Sequence, residues 1–527
     1  MRTFKLSAQC LLAVAPFMFG GVHAAETPQR GGEFVYSVSQ GDPSTFDCHA
    51  GSSITTLLRV GPHYSTLLKV DPTDYPKIVG DVAKSWTVSD DGLVYTFKLH
   101  PDIKFHDGSA LKANDVKVTL DRMRAPPEGV FSARQTMYED IVAVETPDAE
   151  TVVVKLDKPN ATMLEILAAP TGCIYSAKLL ESDPDYPAKK VMGSGPFKFV
   201  SYTPGTEWVG ERFEDYFIEG RPYLDRVRSL SLATPAMINA IASGQVMTDF
   251  RGMTEADALR IQDTQGDGVK VYHTDGSHNL LLVMLPNVER PALADPRVRK
   301  ALALSLDHWG GSKLVARSTH SNAPGGLLRP GSEFARTPEE LSALPGYRKD
   351  MKAAREEARA LLKEAGQENL KISFLNRRFF PYVGVFLIDQ WRQVGVDVDH
   401  QQPEDPQFFA RRDSGDFDII LSAFSDFSGD PTIQWNNLTS YDTTPTNFGR
   451  FNDPKVDAYY EAQKREMDPA KRKAILQEAE AYILEQGYLI PFMWGNRVMV
   501  VDSKVQNYHV SPSNWVGLDM GHLWIKP

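Results

Sequence analysis

The chain has 527 residues, and its 57 Lys and Arg against 68 Asp and Glu give a formal net charge of −11. An acidic chain argues against nucleic acid or an anionic membrane surface as the partner. This length exceeds what one hydrophobic core usually serves, so two or three lobes are expected.

The N-terminal pattern is typical of a cleavable secretory signal. Arg2 and Lys5 precede a short apolar run at residues 11–19, and small residues follow where a signal peptidase would cut. Residues 1–24 are therefore predicted to be a signal peptide that is too short to span a bilayer. Cys10 lies before the apolar run, so no lipid anchor is expected, and the predicted location is the periplasm.

Two cysteines, Cys48 and Cys173, follow the predicted signal. Export permits a disulfide between them. Their spacing matches no known disulfide or metal-binding pattern. The interpretation favoured from the sequence is two small, buried, unpaired side chains.

The stretch from Ser85 to Val116 carries the strongest local signals. Residues 86–88 and 95–99 alternate apolar and polar side chains, which is typical of half-buried strands. The turn at residues 89–92 ends in Gly92, which tolerates a positive φ. A hairpin is predicted here, followed by a helix over residues 113–124.

Before this hairpin, residues 31–38 predict a first strand, and residues 39–63 predict a long polar loop that contains Gln40. In the last third of the chain strands alternate with amphipathic helices, which indicates parallel pairing with right-handed crossovers. The predicted strands are residues 370–374, 396–398 and 417–421, and the predicted helices are residues 350–365, 383–394 and one beginning at Asp468-Pro469.

Four segments resemble, in the same order, segments of one known family. They are residues 85–116, 192–199, 211–227 and 295–307. The chain resembles the bacterial extracytoplasmic solute-binding proteins of family 5, the oligopeptide- and dipeptide-binding proteins of ABC importers. The pieces are spread over most of the chain, which makes the resemblance more specific than any one of them.

The resemblance implies an α/β periplasmic-binding-protein fold, with two large α/β lobes, a hinge and a smaller inserted third domain. The boundaries that we predict are 25–72, 193–276 and 496–527 for lobe I, 73–192 for the inserted domain and 277–495 for lobe II.

Ligands of open α/β sheets bind outside the carboxyl ends of the strands. Two such ends are predicted in lobe II, and the resemblance places the loops that follow them, residues 375–382 and 422–431, on the wall of the cleft. Arg377 and Arg378 are candidates to hold an anionic group, because guanidinium binds carboxylate bidentately. The alternative is that one of them pairs with an acidic neighbour at the surface.

The remaining candidates supply stacking surface or polar groups. The resemblance also implies that the loop containing Gln40 lies at the cleft. In peptide-binding members an Asp of the second loop binds the α-ammonium group, but the matching position here holds Phe427, and Asp426 comes one residue earlier. That offset leaves a non-peptide ligand open, and Asp426 could equally cap a turn. The full set of predicted ligand-binding residues is Gln40, Arg377, Arg378, Tyr382, Phe424, Ser425, Asp426, Phe427 and Trp435.

Sequence motifs for catalysis or metal binding are missing. The chain contains no HExxH, CxxC, Walker loop or GxSxG, and no His pair at metal-ligand spacing. No catalytic residue, metal or cofactor is predicted, although triads assembled from distant residues escape such a search.

The predicted function is that of the periplasmic substrate-binding component of an ABC importer, with peptide as the leading ligand class and the permease subunits as partners. A monomer is expected. One alternative is a non-peptide organic anion, opine, sugar or metal chelate on the same fold. An alternative of another class is a secreted hydrolase. The sequence does not separate transport from presentation of a ligand to a chemoreceptor.

Overall fold

The computed structural model describes residues 27–38, 41–43, 45–51, 53–274, 278–315, 321–378, 380–425 and 427–527. The predicted signal peptide, Gln40 and Asp426 lie outside these described residues. Within the described ranges, no helix combines the length and the apolar character that crossing a membrane requires.

Lobe I is built on a five-stranded sheet. In spatial order its strands are Thr248–Asp249, Glu33–Val38, Arg226–Ser231, Glu207–Arg212 and Phe197–Thr203. The first three strands run parallel to one another, and the last two join antiparallel. The carboxyl ends of three strands therefore meet at one edge of this sheet.

The inserted domain is a four-stranded antiparallel sheet covered by one long helix. The strand order is Ala83–Val88, Val94–Leu99, Thr151–Leu156 and Ile141–Asp148. The helix Ala113–Arg124 buries Val116, Leu120 and Met123 in the same core as this sheet. Most of the domain thus has a core of its own.

Lobe II is built on a six-stranded mixed sheet. Its spatial order is Ser321–Ala323, Ile490–Gly495, His278–Pro286, Ile419–Ser425, Lys371–Leu375 and Asp397–Gln401. The last three strands are parallel and the other pairings are antiparallel. Alternate residues of His278–Pro286 enter two different cores, one on each face of the sheet.

The chain passes between lobes I and II twice. Val269–His273 leads towards His278–Pro286, and Ile490–Gly495 leads back into Val498–Asp502. On the lobe I side the two passing segments pair antiparallel over five residues. Two smaller antiparallel pairs are Leu68–Val70 with Ile78–Gly80 and Val505–Gln506 with Trp524–Ile525.

Helices fill the connections. The α-helices are Ile54–Val60, Ala113–Arg124, Met163–Leu167, Ala177–Ser182, Tyr186–Lys189, Thr234–Ala242, Glu255–Gln265, Pro291–Ala294, Pro296–Leu304, His308–Val315, Pro338–Leu341, Met351–Glu364, Pro381–Arg392, Asp405–Ser414, Thr432–Trp435, Pro454–Arg465 and Pro469–Gln486. In the described part of the chain, the 3₁₀ turns are Gly61–His63, Gln135–Tyr138, Gly266–Gly268 and Asn436–Leu438.

The predicted hairpin and helices form where local signals are strong. Gly92 takes a φ of +70° in the turn. Asp350 accepts a hydrogen bond from the Ala353 N–H at the start of its helix, and Asp468 accepts from the first N–H groups of the last long helix. One predicted strand is displaced: the structure has Ile419–Ser425 where the sequence predicts residues 417–421.

A buried ion pair fastens the inserted domain to lobe I. Arg122 Nη2 lies 2.6 Å from Asp47 Oδ2, and both side chains are at most 4% exposed. The Tyr175 hydroxyl donates to Asp47 Oδ1 at 2.9 Å, and the Asp47 carboxylate also accepts from the His49 N–H. Burial alone would raise the pKa of Asp47, but His49 and Arg122 beside it hold that pKa below its usual value.

The structure also corrects the interpretation of the two cysteines. Cys48 and Cys173 are joined by a disulfide, with their Cα atoms 6.0 Å apart, instead of being unpaired. His49 Nε2 lies 3.0 Å from the Cys173 carbonyl oxygen, so the disulfide and the ion pair form one cluster. Several buried side chains of residues 173–191 pack into the core of lobe I. The predicted boundary at residue 192 stays a prediction.

We expect Arg122→Met to lower the free energy of unfolding by about 3–5 kcal/mol, because it leaves the Asp47 carboxylate buried without its partner. Urea denaturation measures this loss. Arg124→Met is the matched control, since Arg124 pairs with Asp121 on its own helix and is 25% exposed. The control should lose no more than about 1 kcal/mol, and equal losses in both variants would contradict the role of the pair.

Candidate functional site

A cavity of about 600 Å³ lies between lobes I and II. Its volume falls in the range of small-molecule sites. Both walls contribute apolar and aromatic surface together with a few polar groups. Lobe I supplies Ile54, Thr234, Met237, Arg251, Gly252, Met253, Thr254, Asp257, Asn496, Asn514 and Trp515, and lobe II supplies His278, Leu280, Arg377, Arg378, Phe380, Pro381, Tyr382, Phe408, Phe409, Arg412, Leu421, Ser422, Ala423 and Ser425. We call this space the interlobe cavity.

Guanidinium groups approach the interlobe cavity from both sides. Arg251 comes from lobe I, and Arg377, Arg378 and Arg412 come from lobe II. Burial lowers the pKa of Arg251 to about 10, and the positive charge of Arg377 contributes to that shift. The positive charges of the two guanidinium groups therefore repel each other across the cavity.

The lobe II arginines are held by neighbours in the wall. Arg377 lies over the Phe409 ring, 5.2 Å from its centroid. Arg378 donates from Nε to the Gln402 carbonyl oxygen at 3.0 Å and pairs with Glu404. Arg378 thus forms a surface ion pair, which is the alternative given above for one of the two arginines.

A buried arginine at the second chain crossing positions the lobe I wall. Arg497 is 7% exposed. It donates to the carbonyl oxygens of Phe250, Arg251 and Ser511. One side chain therefore fixes both the segment that carries Arg251 and the segment that leads to Trp515.

A second cavity of about 420 Å³ shares Trp515 in its lining with the interlobe cavity. It is lined by lobe I, by the inserted domain and by Phe427 of lobe II. Lys69 faces it, with Nζ 2.6 Å from Asp519 Oδ2 and 3.2 Å from Asp81 Oδ1. Burial alone would lower the pKa of Lys69, but the two carboxylates raise it well above its usual value.

The structure brings together part of the predicted set. Arg377, Arg378, Tyr382 and Ser425 line the interlobe cavity, and Phe427 lines the second cavity. Phe424 and Trp435 are 8% and 4% exposed and pack in a core of lobe II. They line neither cavity, so their position gives no support to the predicted stacking role. Gln40 and Asp426 are outside the described residues.

The prediction missed the lobe I wall. Arg251 follows the strand Thr248–Asp249, one of the three parallel strands of lobe I. The rule that ligands bind outside carboxyl ends applies to this sheet as it does to lobe II, and it could have indicated residues 250–254. Trp515 has no comparable signal, because it lies in the loop between the short strands Val505–Gln506 and Trp524–Ile525 and directly follows no strand of either large sheet.

Among the described residues, no group of three or more His, Cys, Asp or Glu could hold a metal ion. What the site offers is a concave space between the lobes with aromatic surface and charge on two walls. A two-lobed fold with such a cavity is typical of proteins that bind a small solute between their lobes.

The family follows from the sequence match. Residues 77–446 match the bacterial extracellular solute-binding proteins, family 5 Middle. The chain belongs to this family. The resemblance and the fold class predicted from the sequence are both confirmed.

Relatives extend the match over nearly the whole chain. A putative ABC transporter peptide-binding protein of Brucella ovis is 28% identical over 83% of this chain and 82% of its own length. A probable di/tripeptide-binding protein of Pseudomonas aeruginosa is 25% identical over 95% and 96%.

Solved structures share the fold. The periplasmic binding protein DppA of Helicobacter pylori, in complex with the peptide STSA, has a TM-score of 0.81 at 22% identity, covering 95% of this chain and 99% of its own. AgaA of Agrobacterium tumefaciens, in complex with agropinic acid, has a TM-score of 0.78 at 24% identity, covering 94% and 99%.

A carboxyl group of the inserted domain, that of Glu165, interacts electrostatically with Asp430, which follows Phe427 in the same loop. Glu165 is half-buried, and burial raises its pKa to about 7, with a further rise from Asp430 and an opposing contribution from Arg472. Glu333 adds to the rise, and Glu165 in turn raises the pKa of Tyr95. A carboxyl group whose pKa is raised in the native state destabilises that state at high pH. The destabilisation begins as the pH rises through the ordinary pKa of the group, and it is complete once the pH exceeds the raised pKa.

We expect Glu165→Gln to raise Tm relative to the unmodified protein at about pH 8 and to leave Tm unchanged at about pH 4.5, where the carboxyl is protonated in the native state. Thermal unfolding at the two pH values measures the difference. Glu128→Gln, at an exposed position of the same domain, should show no such dependence. An equal Tm for Glu165→Gln and the unmodified protein at about pH 8 would contradict the assignment.

Proposed function

We propose that this protein is the periplasmic substrate-binding component of an ABC importer, that it encloses a short peptide between its lobes, and that it delivers the peptide to the permease subunits. The cavity between two lobes joined by two chain crossings carries this proposal. A ligand that touches both walls favours the closed arrangement differentially, which is the requirement for ligand-driven closure.

The names of the relatives support peptide as the ligand class. The Brucella and Pseudomonas proteins are named as peptide-binding and di/tripeptide-binding. The cavity also suits a ligand with an anionic end, because Arg251 and Arg377 line it from opposite walls. A peptide C-terminus is such an end, and guanidinium groups bind carboxylates bidentately.

A non-peptide organic anion on the same fold is the second candidate. Phe427 stands where the resemblance expects a carboxylate for the α-ammonium group, and Phe427 is 1% exposed beside the second cavity. An aromatic side chain there recognises no ammonium by ion pairing. Four arginines line the interlobe cavity, whereas the carboxylates among its described lining residues amount to Asp257.

A thermal-shift screen decides between these ligands. We expect a di- or tripeptide to raise Tm, because a ligand at about 100 times its Kd stabilises the native form by about 2.7 kcal/mol. The screen includes succinate and opines as non-peptide anions. Mass spectrometry should recover the ligand intact, and small-angle scattering should show a more compact envelope with ligand. A peptide returned in fragments would favour the hydrolase instead.

We expect Arg251→Gln to weaken binding of an anionic hit, with Ala-Glu as the first probe, by about 10- to 100-fold, the effect of losing a hydrogen bond to a charged group. Isothermal titration calorimetry measures the affinity. Arg411→Gln is the control, because Arg411 bonds Asp416 and Gln401 and does not line the interlobe cavity. Unchanged affinity in Arg251→Gln would remove this residue from the site.

A further inference from the structure

The inserted domain touches lobe II through a compact charged cluster. Asp140 and Asn160 of the inserted domain meet Lys464 and Arg465, which end the helix Pro454–Arg465 of lobe II. The exposed residue Glu139 completes the cluster. We call these five residues the catch.

The contacts of the catch are short and numerous. Lys464 Nζ lies 2.8 Å from Glu139 Oε1 and 3.1 Å from Asp140 Oδ2. Arg465 Nη1 lies 2.8 Å from the same Asp140 oxygen. Asn160 Nδ2 donates to that oxygen at 2.8 Å. A single carboxylate oxygen thus accepts from both parts of the molecule.

The backbone takes part as well. The Ala161 N–H donates to the Lys464 carbonyl oxygen at 2.9 Å, and Arg465 Nη1 donates to the Pro159 carbonyl oxygen at 3.2 Å. These bonds link segments about 300 residues apart in sequence. No short connection along the chain holds these bonds in place, so they form only when the inserted domain and lobe II are in contact.

The central charged pair of the catch is buried, and burial limits the free energy that this pair contributes. The side chains of Lys464 and Asp140 are 3% and 4% exposed. Removing two charges from water costs about as much as their attraction returns, so a buried pair has a small net free energy. Opening the contact rehydrates both charges together. Such a contact suits reversible closing better than permanent attachment.

A second charged contact connects the same interface to the ligand cavities. Arg472 holds Asp430 by two short contacts, both side chains being buried. Asp430 ends the loop that carries Phe427 and follows the strand of Ser425. Arg472 also donates from Nε to the carbonyl oxygen of Gln463 at 3.1 Å, and Gln463 directly precedes Lys464 of the catch. The interface thus adjoins the loop that reaches the second cavity.

The two attachments of the inserted domain differ in kind. A disulfide and the buried Asp47–Arg122 pair fix it to lobe I. Lobe II is joined to lobe I by the two chain crossings, and non-covalent contacts alone join it to the inserted domain among the described residues. A rotation of lobe II about the crossings leaves the first attachment intact and changes the second.

We propose that the inserted domain works as a closing device for lobe II: the catch forms when lobe II turns towards lobe I, opens when lobe II turns away, and so sets ligand retention through residues that never touch the ligand. The catch depends on the interlobe motion of the proposed function, and on no particular ligand.

Hydrogen exchange of the full-length, ligand-free protein tests the catch. The variant is Lys464→Gln/Arg465→Gln. The matched control is Arg297→Gln/Lys300→Gln, which removes the same two charges from ion pairs that lie inside lobe II. We expect faster exchange over residues 157–165 in the catch variant, and exchange equal to that of the unmodified protein in the control. Scattering should show a larger radius of gyration for the catch variant alone.

Two results would overturn the proposal. One is exchange over residues 157–165 that is unchanged in the catch variant, with its fold shown intact by unaltered exchange in the helix Ala113–Arg124. The other is exchange of these amides in the unmodified protein as slow as that of the core strands, since the catch would then never open. Asp140→Asn provides a milder variant, which keeps the side-chain shape and should shift exchange in the same direction.

A ligand-release experiment distinguishes a failure of this proposal from a failure of the proposed function. If the unmodified protein binds Ala-Glu or another screened peptide, the catch variant should release it faster, with the control variant unchanged. Equal release rates would overturn the role in retention. Failure of the unmodified protein to bind any peptide contradicts the peptide assignment and leaves the exchange result to decide on the catch.

Discussion

The buried pair between Asp47 and Arg122 determines which parts of this molecule are one body. It sits beside the Cys48–Cys173 disulfide, in a cluster that joins the helix of the inserted domain to lobe I. The disulfide is covalent, and the ion pair adds a buried contact beside it, so the inserted domain and lobe I stay together. In the interlobe motion that we propose, lobe II is the part that moves, and the interlobe cavity lies along its boundary.

Arginines recur at the points where segments from different parts of the chain must meet. Arg497 ties the Arg251 segment to the segment of Trp515, Arg472 holds the loop behind Phe427 through Asp430, and Arg465 meets the inserted domain. A planar guanidinium can bond several carbonyl and carboxylate oxygens at once. Arg497 thereby shapes the lobe I wall of the interlobe cavity without lining it.

Local signals in the sequence predict much of the fold. The hairpin turn at Gly92 and the capping residues Asp350 and Asp468 act on their own neighbours, so no knowledge of distant residues is needed. The predicted positions of Arg377, Arg378 and Tyr382 at the cavity follow from a rule about parallel strands. What the family resemblance added was the assembly of these pieces into two lobes and an insertion.

The remaining features of the fold and of the candidate site depend on contacts that no local sequence pattern encodes. Phe424 and Ser425 are adjacent, but successive residues of a strand face opposite sides, so one enters the core and the other lines the cavity. The strand continues to Ser425, past its predicted end at residue 421. Because residues 422–431 are predicted to be a loop, the alternation of core and cavity side chains is missed. The disulfide and the catch join residues far apart in sequence, which spacing rules do not detect.

The antiparallel pairing of Val269–His273 with Val498–Asp502 has a mechanical consequence. Hydrogen bonding over five residue pairs keeps the two segments side by side where they leave lobe I. In the interlobe motion that we propose, both connections to lobe II would therefore bend at neighbouring points, which favours rotation about one axis. A rotation of this kind would bring the same two surfaces together at each closure.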